Sequence, residues 1–329
     1  MVDQSALTVV RIILLITINH VNIFIFSGTL IMRLTTDNEN KFVVDILTDL
    51  RNEKFSRLAW MHFLGSSWKR SCATARANPV LKRSWTHTTI FIGAFALAVL
   101  AVNIIFEGSG ATLRLMPGFL FFVGWQQSDL YWHLGLNREN RTGTLLRVIG
   151  VATTLTWLRG LGASYLLGRC IGGIYTPSWL LLLVFLCGII TDILDGQIAR
   201  QTQTQTKYGQ IADGEADFCL YLAIALILIQ NSILPLWFGL LILLRFVIPL
   251  FAALVSYFLF AHPVRFGSTI WGKAAGWVLC FYFLLLLAPG QLIFLTRFLN
   301  RPLSIVTLLL LAIAPLAQIT RSILDSKFR

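Results

Sequence analysis

The chain has 329 residues, of which 56% are hydrophobic and only 13% are charged, whereas soluble domains carry about 25% charged residues. This composition excludes an ordinary water-soluble enzyme, and apolar runs of about 18 residues or more, long enough to cross a bilayer, predict an all-α polytopic membrane protein. The formal net charge of +12 then indicates basic loops and contacts with anionic lipid headgroups rather than nucleic-acid binding.

The first apolar stretch covers residues 12 to 32 and has two interpretations. It is long enough to span a bilayer, but it lacks the basic start and the small-residue cleavage site of a signal peptide. Residues 1 to 32 are therefore either a hydrophobic anchor or an over-extended start to a chain that naturally begins at Met32.

Residues 33 to 87 form a polar and basic segment in which Trp60, Trp68 and Trp85 are interleaved with Lys and Arg. Aromatic side chains favour the headgroup level of a membrane, and cations favour an anionic leaflet. The segment is therefore predicted to lie flat on the cytoplasmic membrane surface. The alternative is a solvated linker.

The next two apolar stretches predict an accessory transmembrane hairpin over residues 88 to 136. Residues 88 to 106 form a clear span, and residues 115 to 136 form a weaker one with several polar side chains. Asp129 and His133 are four residues apart and would share one helical face. We expect them to face a neighbouring helix, and a metal or proton site is the alternative.

Six further apolar segments predict a helical core over residues 146 to 320. They cover residues 146 to 168, 177 to 199, 208 to 230, 234 to 260, 269 to 291 and 302 to 320. Lys and Arg are concentrated in residues 33 to 87 and in the loops that alternate with that segment. The positive-inside rule therefore places the loop between the second and third core segments at the cytoplasmic face.

Acidic side chains in the core are confined to one stretch of 26 residues. Between residues 140 and 324 they are Asp192, Asp195, Asp213, Glu215 and Asp217. Acidic groups within membrane segments are costly, so their presence indicates a functional site.

Helical geometry divides these acids into two pairs. Asp192 and Asp195 share a face of one helix, and Asp213 and Asp217 share a face of the next, whereas Glu215 points away and is left out of the site. Four carboxylates so close together would repel one another unless cations compensate their charge. Oxygen ligands without His or Cys favour Mg²⁺ or Mn²⁺.

The stretch DILDGQIARQTQTQTKYGQIADGEAD matches in full the signature D-x2-D-G-x2-A-R-x8-G-x3-D-x3-D. The chain thereby resembles the CDP-alcohol phosphotransferase (CDP-alcohol phosphatidyltransferase) family over about residues 146 to 320. The resemblance implies a homodimer of six-helix cores in the membrane, with active sites that face the cytoplasm. It also implies transfer of a substituted phosphate from a CDP-linked alcohol, with CDP-diacylglycerol favoured, to an acceptor alcohol, releasing CMP in phospholipid biosynthesis.

The resemblance also implies roles for individual residues. Two Mg²⁺ or Mn²⁺ ions would be bound by Asp192, Asp195, Asp213 and Asp217, and Asp217 would act as the general base. The CDP pocket would be formed by Gly196, Ala199, Arg200, Thr206 and Gly209.

Three further cations are weaker candidates. Arg159 ends an LTWLR sequence that resembles the family's first core helix, and Arg245 and Lys273 match basic positions in later helices. They would bind an acceptor phosphate, or else pair with the acidic cluster or extend to the membrane surface. Phe218 follows Asp217 where synthases with phosphorylated acceptors generally carry Arg or Lys, which argues against such an acceptor.

Two other functions use the same acidic residues. An intramembrane prenyltransferase also needs Mg²⁺ and aspartates, but its motifs lie far apart in sequence, whereas Asp195 and Asp213 are only 18 positions apart. A divalent-cation transporter would use the acids as a pathway, but the other four core segments contain none.

Overall fold

A computed structural model describes residues 37–140, 142–260, 270–288 and 293–327, and in these ranges the regular structure is helical. The helices are α1 (Asp37–Asn52), α2 (Arg57–Ala77), α3 (Pro79–Trp132), α4 (Val151–Ile171), α5 (Ser178–Gln201), α6 (Lys207–Gln230), α7 (Leu236–Phe260), α8 (Ile270–Leu286) and α9 (Ile293–Lys327). The expected all-α fold is confirmed. The predicted anchor over residues 1 to 32 lies outside the described residues.

Three of the described helices are long and apolar enough to cross a membrane. They are α3, α5 and the Phe298–Ala317 part of α9. Large apolar side chains on α3 are exposed, including Ile105 at 78% and Phe106 at 81%, as expected for a surface covered by lipid rather than water. The chain is thus an integral membrane protein, and the other predicted spans remain predictions.

Helix α3 reverses direction at Gly108. This residue has φ 83° and ψ 168°, a conformation that glycine adopts far more readily than other residues. The halves before and after it lie side by side, because Asn103 Nδ2 donates to Thr112 Oγ1 at 2.9 Å and Thr89 Oγ1 donates to Gln127 Oε1 at 3.1 Å. The region 88 to 136 is therefore a helical hairpin in its backbone path, and its crossing of the bilayer remains a prediction.

The described residues form two compact units. The first unit runs to Ile174 and includes Cys187–Leu220, and the second comprises Tyr175–Leu186 and the described residues from Tyr221 onward. In the first unit the α3 hairpin packs extensively on α4. Their shared core includes Ile92, Leu115, Phe119, Trp157 and Leu161, together with Tyr208 and Ala212 of α6.

The second unit is held together by apolar and aromatic packing. Helix α9 packs on α7 and α8. The Phe185 and Phe283 rings lie 5.8 Å apart, and the Phe238 and Tyr282 rings lie 5.3 Å apart. Since these contacts are mainly non-polar, this unit contrasts with the first, which contains the acidic motif.

Candidate active site

The first unit brings carboxylates from α5 and α6 together. Oxygen atoms of Asp192, Asp213 and Asp217 lie within 4.8 Å of one another, close enough to share a metal ion. The two helices present these groups because residues three or four positions apart lie on the same helical face. A set of hard oxygen ligands fits Mg²⁺ or Mn²⁺ better than zinc.

Arg159 of α4 lies among all four motif aspartates. Its Nη1 is 2.9 Å from Asp192 Oδ1 and 3.7 Å from Asp195 Oδ2, and its Nε is 3.3 Å from Asp217 Oδ1. Its Nη2 donates a short hydrogen bond to Asp213 Oδ1. The Arg159 side chain is only 1% exposed, so its charge is directed into the carboxylate cluster.

Asp195 differs from the other three aspartates in its orientation. It is buried, and its Oδ2 accepts a hydrogen bond of 2.8 Å from Thr156 Oγ1 on α4. Asp192 and Asp213, in contrast, have side chains that are about half exposed. One carboxylate is thus held by the protein interior, and the others remain accessible to a ligand.

A cavity of about 190 Å³ adjoins the aspartates. It is lined by Ala152, Thr153, Thr156, Asp195, Gly196, Ala199, Arg200, Thr204, Gln205, Thr206, Gly209, Gln210 and Asp213. All five residues that the resemblance assigns to the CDP pocket are in this lining. They lie beside two of the proposed metal ligands.

The entrance to α6 is fixed by local and long-range hydrogen bonds. Thr206 Oγ1 accepts from the Gly209 N–H at 2.9 Å, which satisfies a free amide in the first turn of the helix. The loop that precedes α4 holds the same segment, since the Asn140 N–H donates to the Gln205 carbonyl at 2.9 Å and the Lys207 N–H donates to the Arg138 carbonyl at 3.2 Å. These bonds position one wall of the cavity.

The two other candidate cations belong to the second unit. Arg245 Nη2 donates to the Gly272 carbonyl at 3.0 Å, and Lys273 is exposed. Their proposed contact with an acceptor phosphate remains a prediction. Arg159, by contrast, makes the contacts of the alternative interpretation, in which it pairs with the acidic cluster.

Several cavity residues were not singled out by the sequence motif. Thr153, Thr204, Gln205 and Gln210 line the cavity, and Thr156 both lines it and binds Asp195. A helical pattern gives a partial signal for α4, because Thr153, Thr156 and Arg159 recur at intervals of three. The loop residues have no comparable periodicity, so only the folded chain identifies them.

A second polar cluster lies in the first unit, on the face of α6 opposite the motif aspartates. Asp129 of α3, His133 directly after that helix, and Tyr208 and Glu215 of α6 are all buried. His133 Nδ1 is 2.9 Å from Asp129 Oδ1, as expected from their spacing. The Asp129 carboxyl group lies near the Tyr208 hydroxyl group and the Glu215 carboxyl group, but it makes no hydrogen bond of normal geometry to either.

Comparison with known proteins gives a family match that includes the motif aspartates. The family model described as CDP-alcohol phosphatidyltransferase matches residues 144–316, more than half of the chain. The cardiolipin synthase (CMP-forming) of Streptomyces coelicolor is 32% identical over 103 residues, which cover 30% of this chain and 47% of that protein. The chain thus spans about half the length of this curated relative. No solved structure matches.

Proposed function

Because the chain belongs to the CDP-alcohol phosphatidyltransferase family, we propose that it transfers a phosphatidyl group from CDP-diacylglycerol to the hydroxyl group of an acceptor alcohol and releases CMP. The observation that carries this proposal is that the carboxylate cluster and the cavity lie side by side in the first unit. Three motif carboxylates lie within ligand distance of one another, and the residues assigned to the CDP pocket line the adjoining cavity.

The proposed reaction exchanges one phosphorus–oxygen bond for another. The acceptor oxygen attacks the phosphorus that carries the diacylglycerol group, and the bond from that phosphorus to the CMP phosphate oxygen breaks, so CMP leaves with the electron pair. Asp217 accepts the proton of the attacking hydroxyl group. Mg²⁺ or Mn²⁺ held by Asp192, Asp195, Asp213 and Asp217 would neutralise the pyrophosphate and the charge that develops on CMP.

The cavity wall suits a nucleotide that approaches the backbone closely. Gly209 has no side chain, and a Cβ atom there would come 3.1 Å from Thr206 Oγ1 and 3.6 Å from Thr153 Oγ1. Thr206 and Thr153 line the cavity beside Gly209, so a side chain at position 209 would crowd their hydroxyl groups. Arg200 is exposed at the rim in the last turn of α5, where its charge would attract the diphosphate.

We propose that the acceptor is an alcohol without a terminal phosphate. Phe218 stands directly after Asp217, and Arg159 is already engaged by four carboxylates. The relative's description as a CMP-forming cardiolipin synthase makes phosphatidylglycerol a specific candidate, because a phosphatidyl transfer to its free glycerol hydroxyl would form cardiolipin.

We further propose that the protein is a homodimer whose cavity faces the cytoplasm. The concentration of Lys and Arg in residues 33 to 87 and in alternate loops supports this orientation by the positive-inside rule. The test introduces single cysteines into the loop over residues 202 to 206 and labels them from either side of sealed vesicles. Labelling only from the extracellular side would contradict the proposal.

The central experiment measures CMP release by the purified full chain with Mg²⁺ or Mn²⁺. The donors are CDP-diacylglycerol, CDP-choline and CDP-ethanolamine, and the acceptors are phosphatidylglycerol, glycerol 3-phosphate, inositol phosphate, inositol, serine and diacylglycerol. We expect CMP to be released from CDP-diacylglycerol when the acceptor has no terminal phosphate. The variant Asp217→Asn should release no CMP.

Three outcomes would reject the proposal. Full activity of Asp217→Asn would remove the general base from the mechanism. Metal-ion flux in proteoliposomes without CMP release from any donor would favour the transporter, and prenyl transfer from a prenyl diphosphate would favour the prenyltransferase. Glu215→Gln is not a suitable control because Glu215 belongs to the buried polar cluster that contains Asp129. Asp45→Asn on α1 serves as the acidic control instead.

A further inference from the structure

We propose that Asp129 and His133 are positioning residues that hold α6 in register through Tyr208 and Glu215, so that the α3 hairpin is part of the catalytic unit. This inference rests on the proposed metal site and assigns a role to the hairpin, which the family motif does not cover. It concerns the face of α6 that points away from the motif aspartates.

The contacts in this polar cluster join three helices. The His133 and Tyr208 rings are stacked, with centroids 6.2 Å apart and an interplanar angle of 23°. The Tyr208 ring also lies 6.3 Å from the ring of Trp157 on α4. Because Asp129 lies near both Tyr208 and Glu215, the hairpin contacts α6 at two positions seven residues apart, about two helical turns.

The position of Glu215 connects this cluster to the metal-binding face. Glu215 lies between Asp213 and Asp217 in sequence and on the opposite side of the helix. A helix moves largely as a rigid element, so a rotation or shift that breaks the Glu215 contact also moves both carboxylates. Metal sites require ligand positions within about 0.5 Å of the productive geometry, and small displacements of α6 would therefore weaken metal binding.

The chemical nature of the cluster favours a positioning role over simple packing. Asp129 is 1% exposed, His133 2% and Glu215 8%, and the burial of polar groups is costly unless they are well paired. Within the part of the chain that the structure describes, the two carboxylate oxygens of Asp129, the Tyr208 hydroxyl group and Glu215 Oε1 make no hydrogen bond of normal geometry. Apolar side chains would pack there at lower cost, whereas polar groups add directional contacts that define one register.

The test compares Asp129→Leu with the conservative variant Asp129→Asn in the full-length protein. Mn²⁺ binding is titrated directly by electron paramagnetic resonance, and melting temperature, kcat and KM are measured on the same preparations. We expect Asp129→Leu to raise the Kd for Mn²⁺ roughly tenfold, the lower limit for losing support of metal ligands. Asp129→Asn retains hydrogen-bonding capacity and should bind Mn²⁺ nearly as well as the unmodified protein.

The matched control lies at the other end of the same hairpin. Asn103 is buried and bonds to Thr112 and Tyr165, far along α3 from the cluster. Asn103→Leu should lower the melting temperature and leave the Kd for Mn²⁺ unchanged. If Asp129→Leu behaves in the same way, or if Asp129→Asn binds Mn²⁺ as poorly as Asp129→Leu, the positioning role is rejected.

A second variant keeps the proposal testable if Asp129→Leu does not fold. His133→Phe preserves a ring that can stack on Tyr208 and removes the nitrogen beside Asp129, so we expect a rise of about threefold in the Kd for Mn²⁺. An unchanged Kd would overturn the role of His133. Because the titration requires no substrate, it decides this inference even if the unmodified protein releases no CMP and the proposed function fails.

Discussion

The Arg159 guanidinium contacts carboxylate oxygens of all four motif aspartates. Its charge is permanent in proteins. Arg159 and a bound metal ion would therefore compete for the same carboxylate oxygen atoms. Arginine has five donors in a planar arrangement and can bind several carboxylates at once. Arg159 is therefore best interpreted as the internal counterion that allows four acidic groups to lie together in a membrane protein.

The variant Arg159→Gln tests this counterion role. Loss of the guanidinium group leaves the carboxylates mutually repulsive, and we expect a loss of about 2 kcal/mol in the free energy of unfolding in EDTA. This is less than the 3 to 5 kcal/mol typical of a broken buried pair, since Asp192 and Asp213 are half exposed and solvent screens their charges.

The decisive measurement for Arg159→Gln is the melting temperature with EDTA and with Mn²⁺. Mn²⁺ should stabilise the variant more than it stabilises the unmodified protein, because the cation replaces the missing charge. Arg159→Lys keeps the charge but lacks the planar group and should lie between the two. Equal melting temperatures of Arg159→Gln and the unmodified protein in EDTA would contradict the counterion role.

Helical periodicity predicts which acidic residues share a face within α5 and within α6, but bringing Asp192, Asp213 and Asp217 together also requires the two helices to lie side by side. It does not predict that Asp195 turns towards Thr156, because that hydrogen bond joins residues 39 positions apart. The same limit applies to Asp129 and His133. Their spacing predicts a shared face, but their contact with Tyr208 depends on how α3 packs against α6.

Helix boundaries show a similar division between local and tertiary information. The core segment expected over residues 146 to 168 forms α4 over Val151–Ile171. Its start is delayed because the residues before Val151 bond elsewhere: the Leu146 N–H donates to the Asn137 carbonyl, and the Ile149 N–H donates to Ser84 Oγ. The reversal of α3 at Gly108 falls between the two predicted spans, where a sequence rich in glycine indicates a break.

Gly209 and Gly214 provide a matched test of the cavity on one helix. A Cβ atom at Gly209 would press on Thr206 Oγ1, whereas one at Gly214 would meet nothing within 4 Å. Both substitutions to Ala favour the helical state by up to about 1 kcal/mol. We expect Gly209→Ala to raise the KM for CDP-diacylglycerol roughly tenfold, because crowding costs the bound nucleotide about 1.4 kcal/mol.

Gly214→Ala should leave the KM for CDP-diacylglycerol unchanged. If both variants bind the donor like the unmodified protein, the wall formed by Gly209 does not contact the nucleotide. A parallel rise in KM for both would point to a change in α6 as a whole. These outcomes are distinguished by measuring steady-state CMP release at varied donor concentration. Thermal melts of both variants show whether α6 as a whole has changed.

At the scale of the whole molecule, the net charge of +12 acquires a place in the structure. Helix α2 packs on the rest of the first unit through Ala59, Phe63, Ser71 and Ala75. Leu58 and Met61 of α2 are exposed, as are the cations Lys69 and Arg70, whereas the Trp68 ring packs against Tyr131 and Trp132 of α3. Exposed apolar and basic side chains on the same helix are typical of helices that lie at the headgroup level of an anionic membrane.

The composition of the whole chain predicts membrane insertion, but it does not distinguish a solvated basic linker from a surface helix. That distinction depends on which residues of α2 are covered by α3, and only the folded chain shows it. The exposed apolar residues favour the surface helix, because water would leave Met61 at 68% exposure without an apolar neighbour. The position of α2 relative to lipid therefore becomes a measurable property.

Hydrogen exchange of α2 in lipid nanodiscs tests this arrangement. With anionic lipid present, amide exchange in α2 should be slower than in nanodiscs of phosphatidylcholine alone. A cation near an anionic surface contributes about 1 kcal/mol, so each cation should slow exchange about fivefold. The double variant Lys69→Gln, Arg70→Gln should lose this dependence on lipid charge, whereas Lys54→Gln, outside α2, should retain it. Equal amide exchange of α2 in both lipids would contradict a position at the headgroups. It would favour the alternative, in which residues 33 to 87 are a solvated linker.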